Sequence, residues 1–192
     1  MATVGAEPVA RRQELPKLLG LLVAGGAVAV ALGVYGREHD PTGRQPYTLF
    51  FSSTINLKVW FATAVIVLAC VQLFTAARLF GKVSVPRTLP SWWGDFHRLT
   101  GTLAFVVSLP VAYHCLWGLG YQTTTTRVAW HSALGCFFYG AFAVKVLAVR
   151  VSGLPNWTLP LAGGLVFSGL VAVWCTSSLW FFTSRPAGVP LF

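Results

Sequence analysis

The chain has 192 residues, of which 55% are hydrophobic and 10% are charged, and its formal net charge is +9. Soluble globular domains carry about a quarter charged residues, so this composition excludes an ordinary soluble domain and indicates an integral membrane protein. The basic residues are dispersed among the connections between apolar segments and form no stripe with interleaved aromatics. This pattern argues against nucleic acid as a partner and favours the lipid bilayer and its anionic head groups.

Five apolar runs are long enough to cross a hydrocarbon core of about 30 Å, which requires about 20 helical residues. In chain order they cover residues 18–35, 59–77, 99–120, 128–149 and 157–182. The alternating pattern of a membrane barrel is absent, so we predict one all-α domain over 1–192, a polytopic bundle of five transmembrane helices.

The distribution of Lys and Arg predicts the orientation, because basic residues are retained on the cytoplasmic side. With the N-terminus inside and the C-terminus outside, nine basic residues fall in the inner segments and five in the outer ones. The first apolar run follows Arg11 and Arg12 and is interpreted as an uncleaved signal anchor. Rich usage of Arg, Ala and Gly suggests the cytoplasmic membrane of a bacterium.

Two histidines occur where a membrane span should be apolar: His114 late in the third run and His131 early in the fourth. Consecutive spans run antiparallel, so both are expected at one depth near the outer face, and intramembrane polar residues tend to mark function. A histidine pair with few nearby carboxylates favours bis-imidazole ligation of haem iron over zinc or calcium. Gly118 and Gly135 leave room for a flat porphyrin, and Arg127 is the expected partner of a haem propionate.

The haem hypothesis carries a geometric requirement, because two imidazoles with an iron between them span more than the usual 8–10 Å between neighbouring helices. The third and fourth helices must therefore splay or lie diagonally in the bundle. Two other interpretations of the histidine pair stay open, a polar contact between helices and the binding of another metal.

His97 opens the third span at the inner face, about 25 Å from His114 at roughly 1.5 Å per helical residue. The simpler interpretation is an interfacial histidine that is hydrogen-bonded within its own turn, WWGDFHR. The alternatives are a quinone or proton-transfer site formed with Trp93 and Gly101, or a second haem whose other ligand comes from elsewhere. The fourth histidine, His39 in the outer loop, is expected to be solvated.

The segment FHRLTG, with His97 and Gly101, followed by His114 near the far end of the same helix, resembles the ferric-reductase-like transmembrane domains and related membrane b-type cytochromes. The resemblance covers about residues 92–150 and implies haem binding and electron transfer. Those families commonly place two histidines about 14 residues apart on each of two helices. Here the spacing is 17 residues, and Ala148 stands at the position of a further ligand, so one haem b is expected.

These observations predict a haem b electron-transfer subunit of a respiratory oxidoreductase complex, which exchanges electrons between the quinone pool and an extracytoplasmic redox partner such as an iron–sulfur protein. The alternative is a cofactor-free membrane anchor or assembly subunit, in which the histidines serve helix packing. A transporter is disfavoured because all five acidic residues lie outside the predicted spans.

Overall fold

A computed structural model describes the backbone of residues 7–44 and 47–184, and the side chains of 14–44 and 47–184. The helices are α1 (Glu7–Glu38), α2 (Thr54–Leu79), α3 (Trp93–Tyr113), α4 (Thr126–Ala148), α5 (Thr158–Trp174) and α6 (Trp180–Ser184). Two π-helical segments interrupt them: π1 (His114–Leu119) extends α3, and π2 (Cys175–Leu179) joins α5 to α6. Counted together with these π segments, five helices are long and apolar enough to cross a membrane, and we refer to each of them as a rod. The expected all-α architecture with five membrane-spanning helices is confirmed; its orientation stays a prediction.

Hydroxyl caps set where two of the spans begin. The Ser53 side chain accepts a hydrogen bond from the Asn56 backbone N–H at 3.3 Å, and the Thr125 side chain accepts one from the Val128 N–H at 3.3 Å. Because of the first cap, α2 starts at Thr54, five residues before the apolar run that predicted it. Lys58 therefore lies inside a membrane-spanning helix and not in the preceding loop.

The five rods pack in a spatial order that differs from their order along the chain. Extensive contacts join α1 to α4, α2 to α3, and α4 to α5, with smaller contacts between α2 and α5. Within the described chain, α3 and α4 share no extensive backbone interface, although residues of both line one cavity. Their backbones are thus not closely packed, as the haem hypothesis requires.

Side-chain contacts between α3 and α4 occur near the middle of the membrane span. The Phe105 and Phe142 rings stack with centroids 4.6 Å apart, and the Ser108 hydroxyl lies 2.9 Å from the Tyr139 hydroxyl. The end of the bundle that holds π1 and the N-terminus of α4 contains a cavity. We call this end of the bundle the cavity half, and the opposite end the His97 half.

Helices α1 and α4 approach closely through glycines. A methyl group on Gly140 would lie 2.6 Å from the Gly25 carbonyl oxygen, and one on Gly25 would lie 2.7 Å from the Gly140 carbonyl oxygen. Such small-residue contacts are typical of membrane helix pairs, because lipid provides no hydrophobic driving force between helices.

Candidate functional site

A cavity of about 320 Å³ lies between α3 and α4 in the cavity half of the bundle, and all five membrane-spanning rods contribute to its wall. Its volume is in the range of small-ligand and cofactor pockets. The wall is mainly apolar, with Val59 and Val65 from α2, Val111 from α3, and Leu170 and Val173 from α5. Among the described residues, its polar lining includes basic, hydroxyl and amide groups but no Asp or Glu. The cavity is therefore suited to an apolar ligand that carries a polar or anionic group.

His131 lines this cavity, and a neighbouring hydroxyl fixes its ring. Its Nδ1 lies 3.2 Å from the Thr176 Oγ1, which itself donates to the Ala172 carbonyl at 2.9 Å. The Thr176 hydroxyl has one proton and three nearby acceptors, the Ala172 and Val173 carbonyls and Nδ1, so its role toward Nδ1 is set by the histidine tautomer. In the tautomer with the proton on Nδ1, the hydroxyl accepts from Nδ1–H and Nε2 carries the lone pair that a metal ligand needs. Histidines that ligate metals are commonly oriented by such a hydrogen bond to the other ring nitrogen.

His114 is 2% exposed, and neither of its ring nitrogens has a hydrogen-bond partner among the described residues. Its ring packs edge-on against Tyr47, with centroids 4.6 Å apart, and against Tyr113. His114 is not part of the cavity wall, which α3 and π1 form with its neighbours Ala112 and Cys115. The two predicted ligands thus lie at the same end of the bundle, but only His131 faces the cavity.

Tyr47 covers His114 from the loop between α1 and α2. Burial, with a smaller contribution from Tyr113, raises the pKa of the Tyr47 phenol. The phenol is therefore neutral at physiological pH and packs against the imidazole as an aromatic ring.

The two glycines predicted to make room for a porphyrin have different surroundings. Gly135 lines the cavity, and a methyl group placed there would meet no atom within 4 Å. Gly118 lies outside the cavity wall, where its carbonyl accepts a hydrogen bond from the Gly43 N–H at 3.2 Å. A methyl group on Gly118 would approach the Arg44 carbonyl oxygen to 3.2 Å. Gly135 therefore leaves space beside the cavity, whereas Gly118 permits the outer loop to approach π1.

Arg127 lines the cavity as expected, but its guanidinium already has partners. One terminal nitrogen donates to the Thr176 carbonyl at 2.6 Å, and the guanidinium carbon lies 3.8 Å from the centroid of a Trp180 ring. Both contacts join α4 to the π2–α6 region, so the guanidinium holds two walls of the cavity together.

The π-helical segments are features of the site that the sequence did not indicate. Cys115 and Leu116 of π1 and Ser177 and Ser178 of π2 all line the cavity. Such segments are rare and frequently occur at functional sites. Gly120 ends π1 with φ of +70°, and a Cβ there would come within 2.8 Å of a carbonyl oxygen of α1, so only glycine fits this turn.

His39 is not solvated as expected but partly buried at the same end of the bundle. Its ring stacks on Tyr35 with centroids 5.1 Å apart and packs on Trp117 at 4.6 Å. The α1 helix continues to Glu38, so His39 follows directly after its end and contacts Trp117 of π1. The sequence missed this contact because the polar run REHD was taken for a loop.

The residues proposed for a second site meet in the His97 half. The His97 Nδ1 lies 2.7 Å from the Thr75 hydroxyl, and the Trp93 indole N–H donates to the Thr75 carbonyl at 3.3 Å. Gln72 donates to the His97 carbonyl, and Gly101 makes room for it, since a Cβ there would lie 2.9 Å from the Gln72 Oε1. His97 is hydrogen-bonded as the simpler interpretation expects, but its partner is on α2 and not in its own turn.

Within residues 7–44 and 47–184, no three His, Cys, Asp or Glu side chains cluster as ligands of a metal ion. No curated protein and no solved structure matches the chain. A family model does match, over residues 18–189 and therefore over all five spans. The chain belongs to the family of unknown function DUF6529.

Proposed function

We propose that this protein is a membrane-embedded electron-transfer subunit that binds one haem b in the cavity between α3 and α4. The observation that carries the proposal is the state of His131. Thr176 holds its Nδ1, so Nε2 is the free nitrogen of a ring that lines a cofactor-sized space. The lack of an extensive interface between α3 and α4 leaves room for a flat macrocycle between them, and Gly135 adds no obstruction there.

Haem suits the donor set because the porphyrin itself would supply most of the iron ligands, so that the protein need add only one or two. His131 would be the first of these. His114 is the second, because an unpartnered buried polar group costs about 1–3 kcal/mol, and ligation would satisfy one of its nitrogens. His114 packs beside Tyr47 and not in the cavity wall, so ligation by both histidines requires its side chain to turn. When bound, the haem would supply reversible one-electron transfer at iron.

A single haem at one end of the bundle exchanges electrons on that side of the membrane. The positive-inside distribution predicts that the cavity half faces outward. We therefore propose exchange between the quinone pool and an extracytoplasmic redox partner, such as an iron–sulfur protein, within a larger complex of a bacterial cytoplasmic membrane. A quinone or proton-transfer role of the His97 half, with Trp93 and Gly101, stays a separate proposal, because that half lies at the opposite end of the bundle from the haem.

Visible spectroscopy of protein purified from haem-replete cells tests the proposal. The wild type should show Soret and α bands of low-spin haem b. His131→Gly should lose the haem, and added imidazole should restore it by entering the space of the missing ring. His114→Ala should convert the spectrum to high spin or lose the haem. His39→Phe is the matched control, because it removes a histidine at the same end but outside the cavity wall, and its spectrum should be unchanged.

The alternative is a cofactor-free anchor or assembly subunit, and one observation favours it. His131 and Arg127 both already bond to Thr176, so together they tie α4 to π2 without any ligand. This alternative predicts a colourless, folded protein from haem-replete cells, in which His131→Gly lowers stability and added imidazole produces no visible band.

A further inference from the structure

Lys58 is a cation inside the membrane-spanning part of α2, and no function assigned so far uses it. It lies four residues after the start of α2, is partly buried, and lines the cavity. Among the described residues the one ion pair joins Arg98 and Asp95, far along the chain and exposed to solvent, so Lys58 has no carboxylate partner there. Ionisable residues within membrane spans are costly and usually mark binding or transport sites.

The groups around Lys58 do not compensate its charge. Lys58 is close enough to His114 and His131 to interact with both electrostatically, and Arg127 adds a second fixed cation to the same wall. Among the residues that the structure describes, no Asp or Glu lines the cavity. A partly buried cation in a largely apolar wall, without an anion or a hydrogen-bond partner, is unfavourable because burial removes water from the charge. A ligand that brings negative charge would remove this penalty.

The two cations differ in their availability to such a ligand. The Arg127 guanidinium donates to the Thr176 carbonyl and stacks on an indole ring, so a ligand could engage it only by competing with these contacts. The Lys58 ammonium group has no hydrogen bond to the described residues that would have to break, and its flexible stem can direct three donors at an anion. The sequence suggested Arg127 as the partner of a haem propionate, but Lys58 is better suited to bind such a carboxylate.

We propose that Lys58 binds the carboxylate of an amphiphilic ligand whose apolar body occupies the cavity. Applied to haem, this inference rests on the proposed function and identifies the Lys58 ammonium group as the partner of a propionate. The anion-binding role itself requires only the cavity and the uncompensated charge, so it can be tested separately from haem binding.

The main experiment compares ligands with and without a free carboxylate in nanodiscs of phosphatidylcholine, which add no net negative charge. Wild type, Lys58→Met and Lys58→Arg are titrated with haem b and with its dimethyl ester. Lys58→Met should weaken haem b binding about tenfold, the loss expected for one partly buried charge pair, and leave ester binding within about twofold. Lys58→Arg should bind both like the wild type. Arg37→Met is the matched control, because it removes an exposed charge at the same end of the bundle.

A second pair of probes separates failure of this inference from failure of the haem proposal. Oleate and methyl oleate share an apolar chain, but only oleate carries a carboxylate. Oleate should raise the thermal midpoint of the wild type and not that of Lys58→Met, whereas methyl oleate should affect both proteins equally. If the wild type takes up no haem but shows this oleate dependence, the haem proposal fails and Lys58 remains an anion site. If Lys58→Met binds all four probes like the wild type, the role of Lys58 is overturned.

Discussion

Replacement of Gly140 by alanine is expected to force α1 and α4 apart. The added methyl group would lie 2.6 Å from the Gly25 carbonyl oxygen and 2.9 Å from the Ala29 Cβ, whereas ordinary contacts begin at 3.4 Å. The helices must therefore separate locally by roughly 0.8 Å, the difference between the ordinary and the imposed contact. Overpacking of this kind costs about 1–3 kcal/mol, and the better helix propensity of alanine offsets up to about 1 kcal/mol.

Equilibrium unfolding in mixed detergent micelles, followed by tryptophan fluorescence, measures this cost. We expect Gly140→Ala to lower the free energy of unfolding by about 1–2 kcal/mol, the balance of overpacking and helix propensity. The double replacement of Gly25 and Gly140 should cost less than the sum of the single changes, because helices already separated by one methyl group accept the second more easily.

The adjacent Gly26 provides the control, because a methyl group there would meet no atom within 4 Å. Gly26→Ala should be neutral or stabilise the protein by up to about 1 kcal/mol through helix propensity alone. If Gly140→Ala were as stable as Gly26→Ala, the close approach of α1 and α4 would be refuted.

Two further changes test contacts at opposite ends of the bundle. Arg127→Met removes the hydrogen bond to the Thr176 carbonyl and the contact with the indole, and should lower the free energy of unfolding by about 1–3 kcal/mol; equal stability would contradict the bridging role of the guanidinium. Thr75→Val deprives His97 of its hydroxyl partner and should cost about 1–2 kcal/mol in the same assay. Thr102→Val, at an exposed hydroxyl that bonds only its own helix, should change stability by less than about 0.5 kcal/mol.

The five spans could be predicted from sequence because a run of about 20 apolar residues has few alternatives to a membrane helix. Their ends could not, since polar residues that belong to the helices broke the apolar runs. Thr54 and Asn56 are buried at the start of α2, and Asp95, His97 and Arg98 lie in the first turns of α3. The apolar runs begin after these residues, although helical hydrogen bonding continues through them.

The residues of the cavity could be predicted only where the local sequence determines at which end of the bundle a side chain lies. Antiparallel connection places His114 and His131 at one end of the bundle, and the cavity wall does contain His131, Gly135 and Arg127. The direction of His114 depends on π1, whose widened turn follows no local sequence signal that we identify. The signal that could have found Lys58 was the Ser-x-x-Asn cap ahead of it, which moves the start of α2 toward the N-terminus.

The most direct test of the central claim is the haem content of the purified wild-type protein, determined by the pyridine haemochrome assay against protein concentration. One haem b per chain, reduced to none in His131→Gly, is the predicted result. A haem-free protein from haem-replete cells, or haem retained at full stoichiometry in His131→Gly, would contradict the proposal that the cavity between α3 and α4 holds the redox cofactor.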